Sequence, residues 1–212
     1  MIGTMTIQLH KGDLPAGLDL GPSVAVDCET MGLDLTRDRL CLIQLSSGDG
    51  NAHLVQFPRD ATTPFNAPNL AALLADSRVL KLFHFGRFDL AAIERYLGVM
   101  CAPVYCTKIA SKLCRTFTDR HSLKDLVKEF VGVDLSKVQQ TSDWGAAELS
   151  SDQLTYAASD VLYLHAVKAK LDQMLAREGR LDVADACFRF LPHRARLDLL
   201  GWDDERDIFA HH

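Results

Sequence analysis

Asp27 and Glu29 stand two residues apart in the apolar run SVAVDCE at 23–29. Period-two alternation predicts a strand there, turning Val24, Val26 and Cys28 to one face and Ala25, Asp27 and Glu29 to the other. Both acids then lie on one side, and their oxygens can meet at a hard divalent cation such as Mg2+ or Mn2+. Without a cation or a basic partner, such a pair is mutually repelling and costly to desolvate. The competing reading is two solvated acids at a strand end. A third acid, Asp89, follows a short apolar strand in FHFGRFD at 83–89 and falls on the opening turns of a helix, where an Asp also suits the helix dipole as a plain surface residue. Tyr156 and Asp160 are four apart on a late helix, so phenol and carboxylate share a face one turn from each other. The small Ala157 and Ala158 beside them would let that helix approach a sheet closely, although a packing tyrosine and a surface acid have the same spacing.

The elements that must position these groups follow from periodicity and punctuation. After the first strand, RLCLIQLS at 39–46 and AHLVQF at 52–57 read as strands joined through SSGDGN, an antiparallel meander. A helix near 69–76, a strand at 79–84 and a helix over 86–97 stopped by Gly98 begin a β/α alternation. A strand around 103–106, a helix over 107–115 and the amphipathic SLKDLVKEFVG at 122–132 continue it, with Gly132 as a stop. Ser150 and Gln153 have capping-box spacing at the head of one long helix that runs to Gly179. A further helical pattern is expected to be interrupted at Pro192 before a short polar tail. The class is α/β, with residues 1–212 read as one domain carrying a C-terminal helical extension from about 180.

Of the 212 residues, 48% are hydrophobic and 24% charged, ordinary globular usage. No apolar run approaches the ~20 residues needed to span a bilayer, and MIGTMTIQLHKGD lacks the layout of a signal peptide, so a cytoplasmic location is expected. Six cysteines without a CxxC pair read as reduced, mostly buried thiols. The net charge of −5 argues against a broad basic surface for gripping long nucleic acid. It leaves room for a nuclease of short substrates, because a carboxylate metal site is negative until cations fill it. No GxGxxG follows the first strand, which removes a dinucleotide-cofactor oxidoreductase.

In order along the chain, D-x-E on a first strand, FHxxxFD mid-chain and Y-x-x-x-D on a late helix jointly resemble the DEDDy 3′–5′ exonuclease superfamily. LCLIQLS at 40–46, SLKDLV at 122–127, SDW at 142–144 and YAASDVLYL at 156–164 are similar to ribonuclease D-like proteins. The resemblance spans roughly residues 20–175. It implies a ribonuclease H-like DEDD exonuclease fold, a central mixed β-sheet flanked by α-helices. It also implies phosphodiester hydrolysis with two divalent metal ions, Mg2+ or Mn2+, held by Asp27, Glu29, Asp89 and Asp160, while Tyr156 orients the attacking water and helps remove its proton.

Carried over in the same way, Glu29 with the Thr30–Met31 backbone would face the substrate's 3′-OH, Leu33 would wedge between the last two bases, and His84 would contact the scissile phosphate or sugar. Trp144, Gln140 and their neighbours Lys137 and Gln139 are candidates for contacting substrate or a neighbouring subunit, the competing reading of a lone Trp being a core anchor. The sequence departs from the ribonuclease D pattern in two places: Ala147-Glu148-Leu149 stands where Arg-Pro-Leu usually follows SDW, and Phe85 where Asn is frequent. With the compact length and the ending GWDDERDIFAHH, these departures make the chain resemble the NanoRNase C group. That implies short single-stranded RNA, above all dinucleotides, as substrate, short DNA being left open; the rivals are a general ribonuclease D-like exonuclease acting on longer or structured RNA and a catalytically inactive nucleic-acid-binding module, against which the intact acids speak. The resemblance also implies a homo-oligomer, a ring-shaped octamer, with Trp202, Ile208 and Phe209 available for subunit contacts or for packing on their own domain.

Overall fold

The computed structural model describes residues 6–136, 138–202 and 205–209. Six strands, β1 (Thr6–Lys11), β2 (Ser23–Thr30), β3 (Leu40–Ser46), β4 (Asn51–Gln56), β5 (Leu80–Phe83) and β6 (Val104–Cys106), form one sheet in the order β1-β4-β3-β2-β5-β6. β2, β3 and β4 are the antiparallel meander. β5 and β6 add in parallel beside β2, and β1 adds in parallel to β4 at the far edge, so the sheet is mixed. β3 lies at its centre with every residue buried, as expected of a strand covered on both faces. Helices α1 (Pro68–Ala75), α2 (Arg87–Leu97), α3 (Thr107–Cys114), α4 (Leu123–Val131), α5 (Ser151–Leu162), α6 (Leu164–Arg177) and α7 (Leu181–Leu199) complete the flanking layers. This is the mixed-sheet, ribonuclease H-like exonuclease fold that the resemblance implies. Among the described residues no helix is long and apolar enough to cross a membrane.

Three elements differ from the sequence-based expectation. β1 was not predicted; its partner in register, from Thr6↔Asn51 to Lys11↔Gln56, is remote along the chain, and no hairpin turn announces it. The expected single helix to Gly179 is two helices meeting at Tyr163, because α5 packs on β2, β3 and β4 whereas α6 packs on α3 and α4. The last helix is not interrupted at Pro192: α7 runs through it to Leu199. A proline forfeits one backbone hydrogen bond of the helix, and the packing of α7 along α2 and β6 maintains its course.

That packing bears on the site, because α2 carries Asp89. The Arg87 guanidinium reaches Asp198 near the end of α7 through Nε at 2.7 Å and Nη2 at 2.5 Å, Arg194 joins the same carboxylate at 2.9 Å, and Arg196 pairs with Glu94 at 2.6 Å. Asp198 is largely shielded, its side chain 15% exposed. Removing the acid that two arginines share is expected to cost about 2 kcal/mol, below the usual loss for a fully buried pair. Asp198→Ala should therefore lower Tm by roughly 4–8 °C in thermal denaturation. An unchanged Tm would show that α7 docks by apolar contact alone.

Candidate active site

The parallel strands β2, β5 and β6 deliver their carboxyl ends to one end of the sheet, the place where α/β folds gather functional groups. Asp27 and Glu29 close β2. Across from them β3 skips a residue, Glu29 pairing with Leu42 and Thr30 with Leu40, and such a bulge twists the strand end and re-aims its side chains. α5 lies against the sheet through Ala157 and Ala158, both fully buried, and this close approach brings Asp160 to the two strand acids. Carboxylate oxygens of Asp27, Glu29 and Asp160 lie within 4.8 Å of one another. Asp89, on the first turn of α2, stands behind them, its Oδ1 accepting the Cys28 backbone N–H at 3.1 Å. Gln44, paired with Asp27 across β3, donates to Asp27 Oδ2 at 3.4 Å.

The electrostatics test whether these groups fit a cation. Burial, followed by the charges of Asp89, Asp160 and Glu29, pushes the Asp27 carboxyl well above the usual carboxylate range. Glu29 is pushed up to about 9 by burial and by Asp160 and Asp89. Burial is the main cause at Asp89 and Asp160 as well, each raised to about 7. Beside Asp160, the Tyr156 phenol is also raised, by burial and then by the acid's charge. Four recessed acids that resist being charged together form an all-oxygen donor set, the chemistry that Mg2+ or Mn2+ requires.

Asp27, Glu29 and Asp160 line a cavity of about 300 Å3, with Tyr156, His84, Phe85, Lys108, Ser122, Lys124 and Gln140 among its other lining residues. Lys108 is the second residue of α3 and Lys124 the second of α4, and both line the cavity that holds the acids. Sequence reasoning quoted SLKDLV but assigned neither Ser122 nor Lys124, and it left Lys108 unremarked. The nearest available signal was that each lysine opens a helix behind a strand or a turn.

His84 Nδ1 lies 2.9 Å from Thr107 Oγ1, and that hydroxyl donates to the Phe83 carbonyl at 3.2 Å. Since a hydroxyl has one proton, Nδ1–H must donate to it, which leaves Nε2 as an acceptor. Burial and the Lys108 charge lower His84 to about 3, so the ring is neutral at physiological pH. A neutral acceptor suits a sugar hydroxyl and not an unprotonated phosphate oxygen, which narrows the two roles the resemblance allowed.

Among the other residues singled out from the sequence, Gln140 lines the cavity, and Lys137 lies outside the described residues. The Met31 N–H is already given to the Arg39 carbonyl at 3.0 Å, so it is not free for a terminal hydroxyl. Thr30 Oγ1 donates to the Gly32 carbonyl at 2.5 Å, shaping the turn that carries Leu33, and Leu33 is 85% exposed. Trp144 requires correction as a substrate contact. It is buried, its ring 6.0 Å from that of Tyr156, and so it buttresses the tyrosine from the protein side instead of offering a face to a base.

A mixed sheet with its acids gathered at the carboxyl ends of parallel strands, and a tyrosine one helical turn from the last acid, define a phosphodiester-hydrolase class of site. Residues 13–176 match the 3′–5′ exonuclease family model, and the chain belongs to that family. It is 34% identical over 162 residues to ribonuclease D of Gluconacetobacter diazotrophicus, an alignment covering 76% of this chain and 40% of the relative. The chain thus spans about 40% of the length of curated ribonuclease D relatives such as this one. Similarity to Brucella melitensis NrnC extends end to end. The structure of that protein bound to pGG superposes with a TM-score of 0.93 at 54% identity, covering 99% of this chain and 100% of the other. Its form with bound Mg2+ gives 0.92 at 53%, covering 98% and 100%.

Proposed function

We propose that this protein is a metal-dependent 3′–5′ exoribonuclease that hydrolyses very short RNA, above all dinucleotides, to nucleoside monophosphates. The observation that carries the reading is the convergence of Asp27, Glu29 and Asp160 within 4.8 Å, in a small cavity that Lys108 and Lys124 also line. Asp27, Glu29, Asp89 and Asp160 would hold two divalent cations, Mg2+ or Mn2+. When bound, such cations lower the pKa of water and neutralise charge at phosphorus. Tyr156, fixed by Trp144 behind it, orients the attacking water with its phenol. Lys108 and Lys124 hold phosphate oxygens, while the Ser122 hydroxyl, donating to Asp125 Oδ2 at 2.5 Å and accepting the Asp125 N–H at 3.2 Å, caps α4 and so places Lys124. His84 accepts a hydrogen bond from a ribose hydroxyl through Nε2, and Glu29 recognises the 3′ end.

Short length is supported by the cavity, which is at the small end of the ligand-site range. It is further supported by the net charge of −5 and by the likeness to a protein crystallised with pGG. Homo-oligomerisation is supported by apolar groups left exposed on α7 and beyond it: Val183, Phe190, Leu200, Trp202, Ile208 and Phe209. A cytoplasmic setting accords with six free cysteines, four of them buried.

Hydrolysis of 5′-phosphorylated GG and of a 20-nucleotide RNA, compared by kcat/KM in Mn2+, tests the substrate. The dinucleotide is expected to be preferred by at least about tenfold, a difference of ~1.4 kcal/mol in transition-state stabilisation. Equal values, or preference for the longer RNA, would instead identify a general ribonuclease D-like exonuclease with the same catalytic groups.

A further inference from the structure

Phe85 is the sole non-glycine residue with positive φ among the described residues, at +63°, a left-handed backbone that costs an aromatic side chain steric energy. The turn from β5 into α2 imposes it. A Cβ on Gly86 would lie 2.4 Å from the Phe83 Cβ, so the chain doubles back tightly on β5. The ring is thereby turned out of the core: Phe85 is 56% exposed and lines the cavity that contains Asp27, Glu29 and Asp160. The Lys108 ammonium lies 3.9 Å from its centroid. An exposed aromatic on a strained backbone loses stability twice, and strain of this kind persists where a site uses it. Against a cavity of acids and lysines, the partner for an aromatic face is a nucleobase, since every base has a π-face and stacking does not depend on sequence.

We propose that Phe85 is the platform on which one base of the substrate stacks, with Lys108 held over the ring so that base stacking and phosphate pairing engage the same nucleotide. This rests on the exonuclease reading. It also gives a physical use to the Phe that stands where ribonuclease D-like sequences often have Asn.

Phe85→Gly and Phe85→Trp separate stacking from scaffolding, because glycine accepts φ +63° without strain and so folds. With 5′-phosphorylated GG, Phe85→Gly is expected to raise KM about 10- to 100-fold with kcat within about twofold, and Phe85→Trp to retain a KM near the wild type. The Tm of Phe85→Gly should equal or exceed that of the wild type. For dinucleotides made abasic at one position or the other, the Phe85→Gly penalty should vanish at the position whose base stacks. An unchanged KM, an equal penalty on both abasic substrates, or a fall in kcat with KM intact would overturn the proposal, the last marking Phe85 as a prop for Asp89. A wild-type protein inert in Mn2+ towards both GG and the 20-nucleotide RNA would overturn the exonuclease reading itself, and this inference with it.

Discussion

Asp27→Ala is expected to reduce kcat for dinucleotide hydrolysis by about 10^3-fold or more, while the purified variant unfolds at a temperature equal to or above that of the metal-free wild type. The two halves of the result have one cause. Asp27 is the acid that sits among Glu29, Asp89 and Asp160, and all three charges raise its pKa. In the metal-free fold it is a source of repulsion, so its removal relieves the site, whereas with cations present it would be one of the carboxylates that hold them. Metal-held transition states draw several kcal/mol from such ligands, and each 1.36 kcal/mol is tenfold in rate. Single-turnover hydrolysis at saturating Mn2+, with thermal denaturation of the same samples, reads both halves. If Asp27→Ala cleaved GG as fast as the parent, the metal assignment would be wrong, whereas a parent inert towards GG and longer RNA alike would make a nucleic-acid-binding module on an exonuclease fold the better reading.

The second large effect is a linkage between divalent metal, pH and stability. Unfolded carboxyls titrate near 4, but in the fold Asp89 and Asp160 titrate at about 7, Glu29 at about 9, and Asp27 is raised well above its ordinary value. Between those limits the folded state binds more protons than the unfolded one, so this cluster's contribution to stability falls as pH rises from about 4 towards 9. A divalent cation replaces the protons. At 100 times its dissociation constant, a cation bound only by the native state adds about 2.7 kcal/mol, which is roughly 5–10 °C in Tm for a chain of this length. Mn2+ should therefore raise Tm strongly at pH 8 and little at pH 5, and EDTA should return it. A Tm at pH 8 that is indifferent to Mn2+ and EDTA would rule out a cation site in this cluster.

How much of the site was legible depended on how local each piece is. The Asp27–Glu29 pair on one sheet face follows from two-residue alternation in SVAVDCE, and the Tyr156–Asp160 pair follows from the pitch of a helix. Neither pair distinguishes a site from a solvated surface by itself; their order, together with FHxxxFD, carried the resemblance. Trp144 illustrates the limit in the other direction: nothing in SDW tells a base-stacking indole from a buried buttress.

The sequence by itself determined the α/β class, the main strands and helices, and the identity of the acids, because the direction of a side chain along a strand or helix is set by residues two to four positions away. Only the tertiary structure decided which groups face one another. α5 had to lie close over β2 through Ala157 and Ala158 to bring Asp160 within reach of Asp27 and Glu29. α3 and α4 had to open beside that end of the sheet to supply Lys108 and Lys124. The turn at Gly86 had to tighten against Phe83 to expose Phe85. The break at Tyr163 and the unbroken course of α7 through Pro192 belong with these, since each is set by the element packed against the helix and not by the helix's own residues. Such contacts join residues tens of positions apart and leave no periodic trace along the chain, so what the four acids do together is a property of the fold.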